Sequence, residues 1–336
     1  MKFQVDVQAS SKYSVYIERG LIHSVATLTP AHAKVVVLTD RLVPTQWVSS
    51  VMDQFDDPLL ITVPEGESSK SLRRTELIVD EMLDAGCHRD TVLLALGGGV
   101  IGDLGGFVAS VFMRGIPYVQ IPTTLLAQID SSVGGKVAVN TGLAKNIIGG
   151  FYPPHVVCID PDVLHTLPKE EFANGMAELI KYGLILDAEL FAMIENERIL
   201  QQLPETIYRA VSLKQQVVEA DERDAHYRQV LNFGHSIAHA IEKASNHNVS
   251  HGQAVAMGMA MMIQGKPFEE RVLKVFKRYG LSTTYSENSV ALIDYISKDK
   301  KASTDGINEI FVHEIGSCEI ETISYTTMKT ILEGAQ

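Results

Sequence analysis

The chain has 336 residues, 46% of them hydrophobic and 21% charged, with a formal net charge of −12. That balance is globular, the length suggests two domains of the usual ~100–200 residues, and the lack of an overall basic footprint argues against a nucleic-acid partner. No apolar run reaches the ~18–20 residues of a membrane span, residues 1–15 lack the apolar core of a secretory signal, and three scattered cysteines without CxxC spacing (Cys87, Cys158, Cys318) suit a reducing cytoplasm better than a disulfide framework.

Residues 33–40, 57–67, 90–99 and 116–124 read as short β-branched apolar runs. Continuous runs of this kind mark parallel strands buried on both faces. Between them, 71–86 has apolar residues at helical spacing. A doubly wound, Rossmann-like α/β domain is therefore expected over 1–160. After Pro168 the texture changes, and 170–186, 205–224, 233–245 and 251–265 read as helices. A mainly α-helical second domain is expected over 161–336, interrupted by a β-like piece at 309–324. The boundary is expected within 155–170.

The strand at 91–96 runs into Gly97, Gly98, Gly99, Val100, Ile101, Gly102 and Asp103, and a helix follows. Gly97, Gly99 and Gly102 satisfy GxGxxG in a strand–turn–helix context. Glycine permits a tight turn, and the helix start offers free N–H groups to a phosphate. The acidic residue usual some 20 positions on is missing, because the next strand ends in Gln120, Ile121 and Pro122. A structural glycine turn is the competing reading. A second glycine-rich stretch, 131–154, holds Lys136 and Lys145. These are either a grip on phosphate or carboxylate or solvated lysines of a surface loop. Asp130 and Arg114 are charges set beside apolar sequence and call for partners.

In the second domain His235 and His239 are four residues apart on one helix face, and His251 opens the next helix. Glu178 lies on an otherwise apolar helical stretch. Two imidazoles and a carboxylate with an open fourth position form a catalytic zinc set, whose task is Lewis-acid polarisation. His239 is either a third histidine ligand or a neighbour that handles a proton or a phosphate. The alternative for all of them is a set of core or capping residues. Lys181, Lys214, Arg228, Lys300 and Lys301 recur beside these motifs. If the helices pack together, they form a positive pocket for a phosphorylated, carboxylated substrate; Lys301 reads rather as an exposed lysine. His247 reads as a loop residue, and His23, His32, His88, His155, His165, His226 and His313 carry no spacing signal.

The stretches 64–72, 96–136, 144–154, 166–183, 214–242, 251–259 and 299–301 together resemble the 3-dehydroquinate synthases, a family of sugar-phosphate cyclases. The resemblance implies zinc, with cobalt as an alternative metal, bound by Glu178, His235 and His251. It implies NAD contacts at Asp40, Glu67, Lys70, Gly98, Gly99, Val100, Ile101, Gly102, Asp103, Thr123, Thr124, Lys136, Lys145 and Thr166. It implies substrate contacts at Asp130, Lys136, Lys145, Asn146, Lys181, Lys214, Arg228, Asn232, His239 and Lys300. Arg114 matches an arginine that reaches the phosphate across the interface of a homodimer.

The implied reaction takes 3-deoxy-D-arabino-heptulosonate 7-phosphate to 3-dehydroquinate and phosphate, in the shikimate route to aromatic amino acids. It proceeds by transient oxidation with NAD, β-elimination of phosphate, reduction and intramolecular aldol closure. The chain departs from the family at Ala238, where glycine is usual, at Ser236, where threonine is usual, and at 142–146, where PLGKN is usual; 302–309 is polar where basic and glycine residues are more common. Sister cyclases acting on sedoheptulose 7-phosphate or glucose 6-phosphate share the metal and NAD sites. Asn232, His239 and Lys300 favour the dehydroquinate reaction. A metal-dependent polyol or glycerol dehydrogenase would instead accumulate NADH, and a non-catalytic relative would bind neither cofactor.

Overall fold

A computed structural model describes residues 1–246, 248–285, 289–297 and 306–334. The strands are β1 (Lys2–Gln8), β2 (Lys12–Glu18), β3 (Lys34–Asp40), β4 (Leu59–Val63), β5 (Thr91–Gly97), β6 (Tyr118–Pro122), β7 (Lys136–Val139), β8 (Ile148–Phe151), β9 (Val156–Ile159), β10 (Ile307–Glu314) and β11 (Ser317–Ile323). The helices are α1 (Thr45–Met52), α2 (Leu72–Asp84), α3 (Gly99–Val111), α4 (Lys169–Ile185), α5 (Ala188–Glu195), α6 (Leu203–Ala220), α7 (His235–Ala244), α8 (His251–Met262), α9 (Glu269–Arg278), α10 (Ile293–Ile296) and α11 (Tyr325–Gly334). They form two compact units: Met1–Pro168 with Leu203–Arg223, and Lys169–Gln202 with Asp224–Gln336.

The first unit holds a sheet in the order β1-β2-β9-β6-β5-β3-β4. All neighbours are parallel except the β1–β2 hairpin at one edge. Every residue of β5 is buried, which explains why its sequence is a continuous apolar run rather than an alternating one. Helix α2 starts at Ser71, whose side chain accepts from the Arg74 backbone N–H, an N-cap that fixes where the helix begins. One core cluster joins β3, β4, β5, α2 and α3 through Leu38, Ile61, Ile78, Met82, Leu93 and Leu104. β4 lies on one side of β3 and β5 on the other. The strand order therefore reverses at β3 and β5, whose carboxyl ends are Asp40 and Gly97. In open α/β sheets, ligands bind beyond the strand ends at such a switch point.

The doubly wound class expected from the sequence is present, but several of its parts differ. The β1–β2 hairpin, the short β7–β8 hairpin and β9 all form where no strand was expected. Strand β9 falls in the stretch expected to be the domain boundary. It is inserted between β2 and β6, and its four residues are all buried. Helix α6, expected in the second domain, belongs to the first unit. It packs on the edge hairpin, with Tyr208 stacked on Phe3 at 4.8 Å between ring centroids.

The second unit is mainly helical, with the β10–β11 hairpin standing where the β-like piece was expected. Among the described residues no helix is long and apolar enough to cross a membrane.

Candidate metal centre

Three helices of the second unit bring the centre together. Thirteen residues of α4 are buried, Glu178 among them at 1% exposure. A carboxylate so placed costs free energy unless cations or donors face it. Helix α8 approaches its neighbours at glycines. A Cβ at Gly252 would stand 2.4 Å from the Cα of Asn174 on α4. One at Gly258 would stand 2.2 Å from the carbonyl oxygen of Gly234, just before α7. Hydrogen in place of a side chain at these two positions lets α8 lie close against both helices. Ser250 Oγ donates to Asn174 Oδ1 at 2.7 Å and pins the start of α8 to α4.

The result is a convergent donor set. His235 Nε2 lies 3.4 Å and His251 Nε2 3.1 Å from Glu178 Oε1, and the three ligand atoms fall within 4.8 Å of one another. His235 Nδ1 faces the Phe233 carbonyl at 3.0 Å. A carbonyl only accepts, so Nδ1 carries the proton and the Nε2 lone pair is left to the centre. His251 Nδ1 faces the Glu242 carboxylate at 3.5 Å. Lys181 forms a buried ion pair with Glu178 Oε2, three residues along α4.

These contacts set the charges. Burial opposes ionisation of Glu178, but the Lys181 ammonium and the two imidazoles outweigh it and hold the carboxyl well below the usual carboxylate range. Burial and the Lys181 charge push His235 down, so it stays neutral. Burial also opposes a charge on His251, yet its contacts with Glu178 and Glu242 outweigh this and lift it to about 10. With no metal, a proton on His251 thus stands between two carboxylates. An ionised carboxylate and two imidazoles with engaged Nδ1 atoms fit a divalent metal of the zinc or cobalt type.

His239 lies beside this set, its ring centroid 5.7 Å from that of His235, and it is not one of the three residues whose ligand atoms converge. Arg228 is buried, and Asn232 is half-buried in the turn before α7. Lys300, Lys301 and His247 lie outside the described residues. A second group of His and Glu donors, His313, Glu319 and Glu321, gathers on the β10–β11 hairpin. It is exposed to solvent, with His313 Nε2 3.8 Å and 3.6 Å from the two carboxylates.

In the first unit, Gly98 precedes α3, and Gly99, Val100, Ile101 and Gly102 form its first turn. Lys70 Nζ lies 2.5 Å from both Asp103 Oδ2 and Asn146 Oδ1, and 3.9 Å from Glu67 Oε1. Burial raises the Asp103 carboxyl against the opposing Lys70 charge. Asn140, which carried no sequence signal, ties this cluster together. Its Nδ2 donates to Glu67 Oε1 at 2.7 Å, and its Oδ1 accepts from the Asn146 N–H at 2.8 Å.

Asp40 caps the end of β3 by accepting from Leu42 N–H at 2.8 Å, and burial raises its carboxyl. Thr123 N–H bonds the Gly97 carbonyl at 3.0 Å, and the Thr124 methyl would stand 3.1 Å from a Cβ at Gly98. Thr166 accepts from Trp47 Nε1 at 2.8 Å. Lys136 opens β7, and Lys145 sits in the β7–β8 turn; both are exposed. Lys214, expected among the helices of the second domain, belongs to the first unit. There its Nζ donates to Asp130 Oδ1 at 2.7 Å and to the Asp130 carbonyl at 2.5 Å. Arg114 is exposed and follows Met113 in a left-handed pair, with φ of 50° and 71°.

Comparison with known families decides the affiliation. Residues 60–174 match the 3-dehydroquinate synthase N-terminal model, and 175–302 match the C-terminal model. The chain belongs to the 3-dehydroquinate synthase family. A curated 3-dehydroquinate synthase from Clostridium kluyveri is 38% identical, with 95% of each chain covered. A solved 2-deoxy-scyllo-inosose synthase, complexed with carbaglucose-6-phosphate, NAD+ and Co2+, superposes with a TM-score of 0.87 at 23% identity over 99% of this chain and 100% of that one. The 2-epi-5-epi-valiolone synthase from Streptomyces hygroscopicus, with NAD+ and Zn2+ bound, gives 0.84 at 26% identity over 99% and 98%. Both of these solved synthases thus share this chain's fold. One residue that sequence reasoning passed over touches the donor set: Glu242, seven positions after His235 and so on the same face of α7.

Proposed function

We propose that the chain is a phosphate-eliminating lyase that converts 3-deoxy-D-arabino-heptulosonate 7-phosphate to 3-dehydroquinate, using NAD and zinc, in the cytoplasm and as a homodimer. The observation that carries the reading is the convergence of Glu178 Oε1, His235 Nε2 and His251 Nε2 in a chain of this family. These three atoms would hold the metal. A bound divalent ion supplies Lewis acidity to a substrate hydroxyl, and NAD supplies a reversible hydride acceptor.

The protein's own groups do the rest. Lys181 occupies Glu178 Oε2, which leaves Oε1 to face the two imidazoles. The Phe233 carbonyl keeps the His235 Nε2 lone pair pointed at the centre. His239, next to His235 but outside the donor set, is placed to hold a proton or a phosphate oxygen. In the first unit the reversal of strand order lies at Asp40 and Gly97, and the free N–H groups of the α3 start suit a pyrophosphate. We assign the nucleotide to that end of the sheet, with Lys70, Asp103 and Glu67 beside it. Lys136, Asn146, Asp130 and Lys214 keep the substrate roles that the family implies, as do Arg228 and Asn232.

The test supplies purified protein with zinc and NAD, and gives it 3-deoxy-D-arabino-heptulosonate 7-phosphate, sedoheptulose 7-phosphate and glucose 6-phosphate separately. Phosphate release and NADH absorbance are followed together. Release from the first sugar alone, without net NADH, is expected. Release from another sugar would reassign the substrate to a sister cyclase, and NADH build-up without phosphate would replace the lyase by a dehydrogenase.

A further inference from the structure

Of the two imidazoles in the donor set, one is oriented by a neutral group and the other by a charged one. His235 Nδ1 meets a backbone carbonyl. His251 Nδ1 meets the carboxylate of Glu242, whose side chain is largely buried. Glu242 lies on α7, and its position follows from helical spacing. Seven residues separate it from His235, about two turns, so both project from one face toward α8. His251 is the first residue of α8. That helix start has no acidic residue in its first turn and no side-chain N-cap, because Ser250 is spent on Asn174. A negative group brought in from α7 complements the positive end of the α8 dipole. It also fixes which ring nitrogen of His251 carries hydrogen.

We propose that Glu242 is the positioning residue for His251 in metal binding: its carboxylate holds the Nδ1–H tautomer and the ring orientation, and so presents Nε2 to the metal as a more basic ligand. The inference rests on the metal reading of Glu178, His235 and His251. Outer-sphere carboxylates of this kind act on affinity through the ligand they orient rather than by touching the metal. Glu242 therefore belongs to the function of the centre although its oxygen is not one of the three converging atoms.

The test measures the affinity of the purified full chain for Zn2+ and Co2+ by chelator competition, and records the visible ligand-field spectrum of the Co2+ form. Glu242→Ala is expected to weaken binding about 10–100-fold and to alter the Co2+ spectrum. Glu242→Gln, which keeps an acceptor oxygen but loses the charge, is expected to fall between Ala and the parent. Far-UV circular dichroism and NAD affinity report whether each variant is folded, and if the alanine form does not fold, the glutamine form decides. Parent-like affinity and spectrum in a folded variant would overturn the role of Glu242 while leaving the metal centre standing. A parent chain that holds neither metal would overturn the centre and this inference together.

Discussion

Among the described residues, two places in the second unit gather histidine and glutamate donors whose ligand atoms lie within 4.8 Å of one another. One lies between α4, α7 and α8; the other lies on the β10–β11 hairpin. By donor chemistry alone they look alike. They differ in everything around the donors. At the helical centre the carboxylate is buried and held ionised by Lys181, and both rings have their outer nitrogens occupied. On the hairpin the three side chains are open to water, where ion pairs contribute ~0–1 kcal/mol and long side chains spend entropy to stay together. The contrast teaches that ligand identity is the lesser part of a metal site. The greater part is a surrounding structure that fixes tautomer, orientation and charge before the ion arrives.

The strongest way to break this contrast is His235→Ala. It is expected to abolish metal retention on dialysis and, with it, turnover, while NAD binding persists. Metal content by elemental analysis checks it, and a fully loaded, active variant would refute the site.

A smaller, graded effect comes from pH. His251 is lifted to about 10 by its two carboxylate neighbours, against the opposing effect of burial, so a metal must displace its proton. Apparent affinity is expected to rise about tenfold per pH unit from pH ~6.5 to ~9. The metal-free protein moves the other way. A group raised on folding contributes its full stability below its unfolded value, near 6.5, and loses it as pH rises through about 10. Thermal melts of the apo and loaded forms across that window should diverge; parallel curves would count against the bridging proton.

The smallest effect is expected on the hairpin. Replacing Glu319 and Glu321 together by glutamine should leave metal content unchanged and shift stability by less than ~0.5 kcal/mol. Loss of a metal equivalent in that variant would erase the contrast altogether.

Much of this was written in the sequence. Continuous apolar runs gave β3, β5 and β6, because a strand buried on both faces must be apolar throughout; β4 was legible as an apolar run too, although at the sheet edge its Leu60 and Thr62 are exposed. Helical spacing placed His235 and His239 on one face and Lys181 one turn from Glu178. Other features depended on folding. Strand β9 is only four residues long, and short apolar runs do not distinguish a strand from a linker. Helix α6 has the same amphipathic pattern whichever unit it joins, so its pairing with the β1–β2 edge, and Lys214 with Asp130, could not be read from periodicity. His313 carried no signal because its meeting with Glu319 and Glu321 arises from a hairpin register interrupted between Val312 and Glu314.

The sequence by itself determined the residue types, their spacing within single helices and strands, and hence the fold class and a pool of candidate donors in which His239 stayed open beside Glu178, His235 and His251. Those follow from local geometry, which repeats every 3.6 or 2 residues and is legible along the chain. Only the tertiary structure decided that His239 stands outside the donor set, that Glu242 faces His251, and that Gly252 and Gly258 admit α8 against α4 and α7. These are contacts between elements distant in sequence, fixed by close packing, and no period along one chain encodes the distance between two helices.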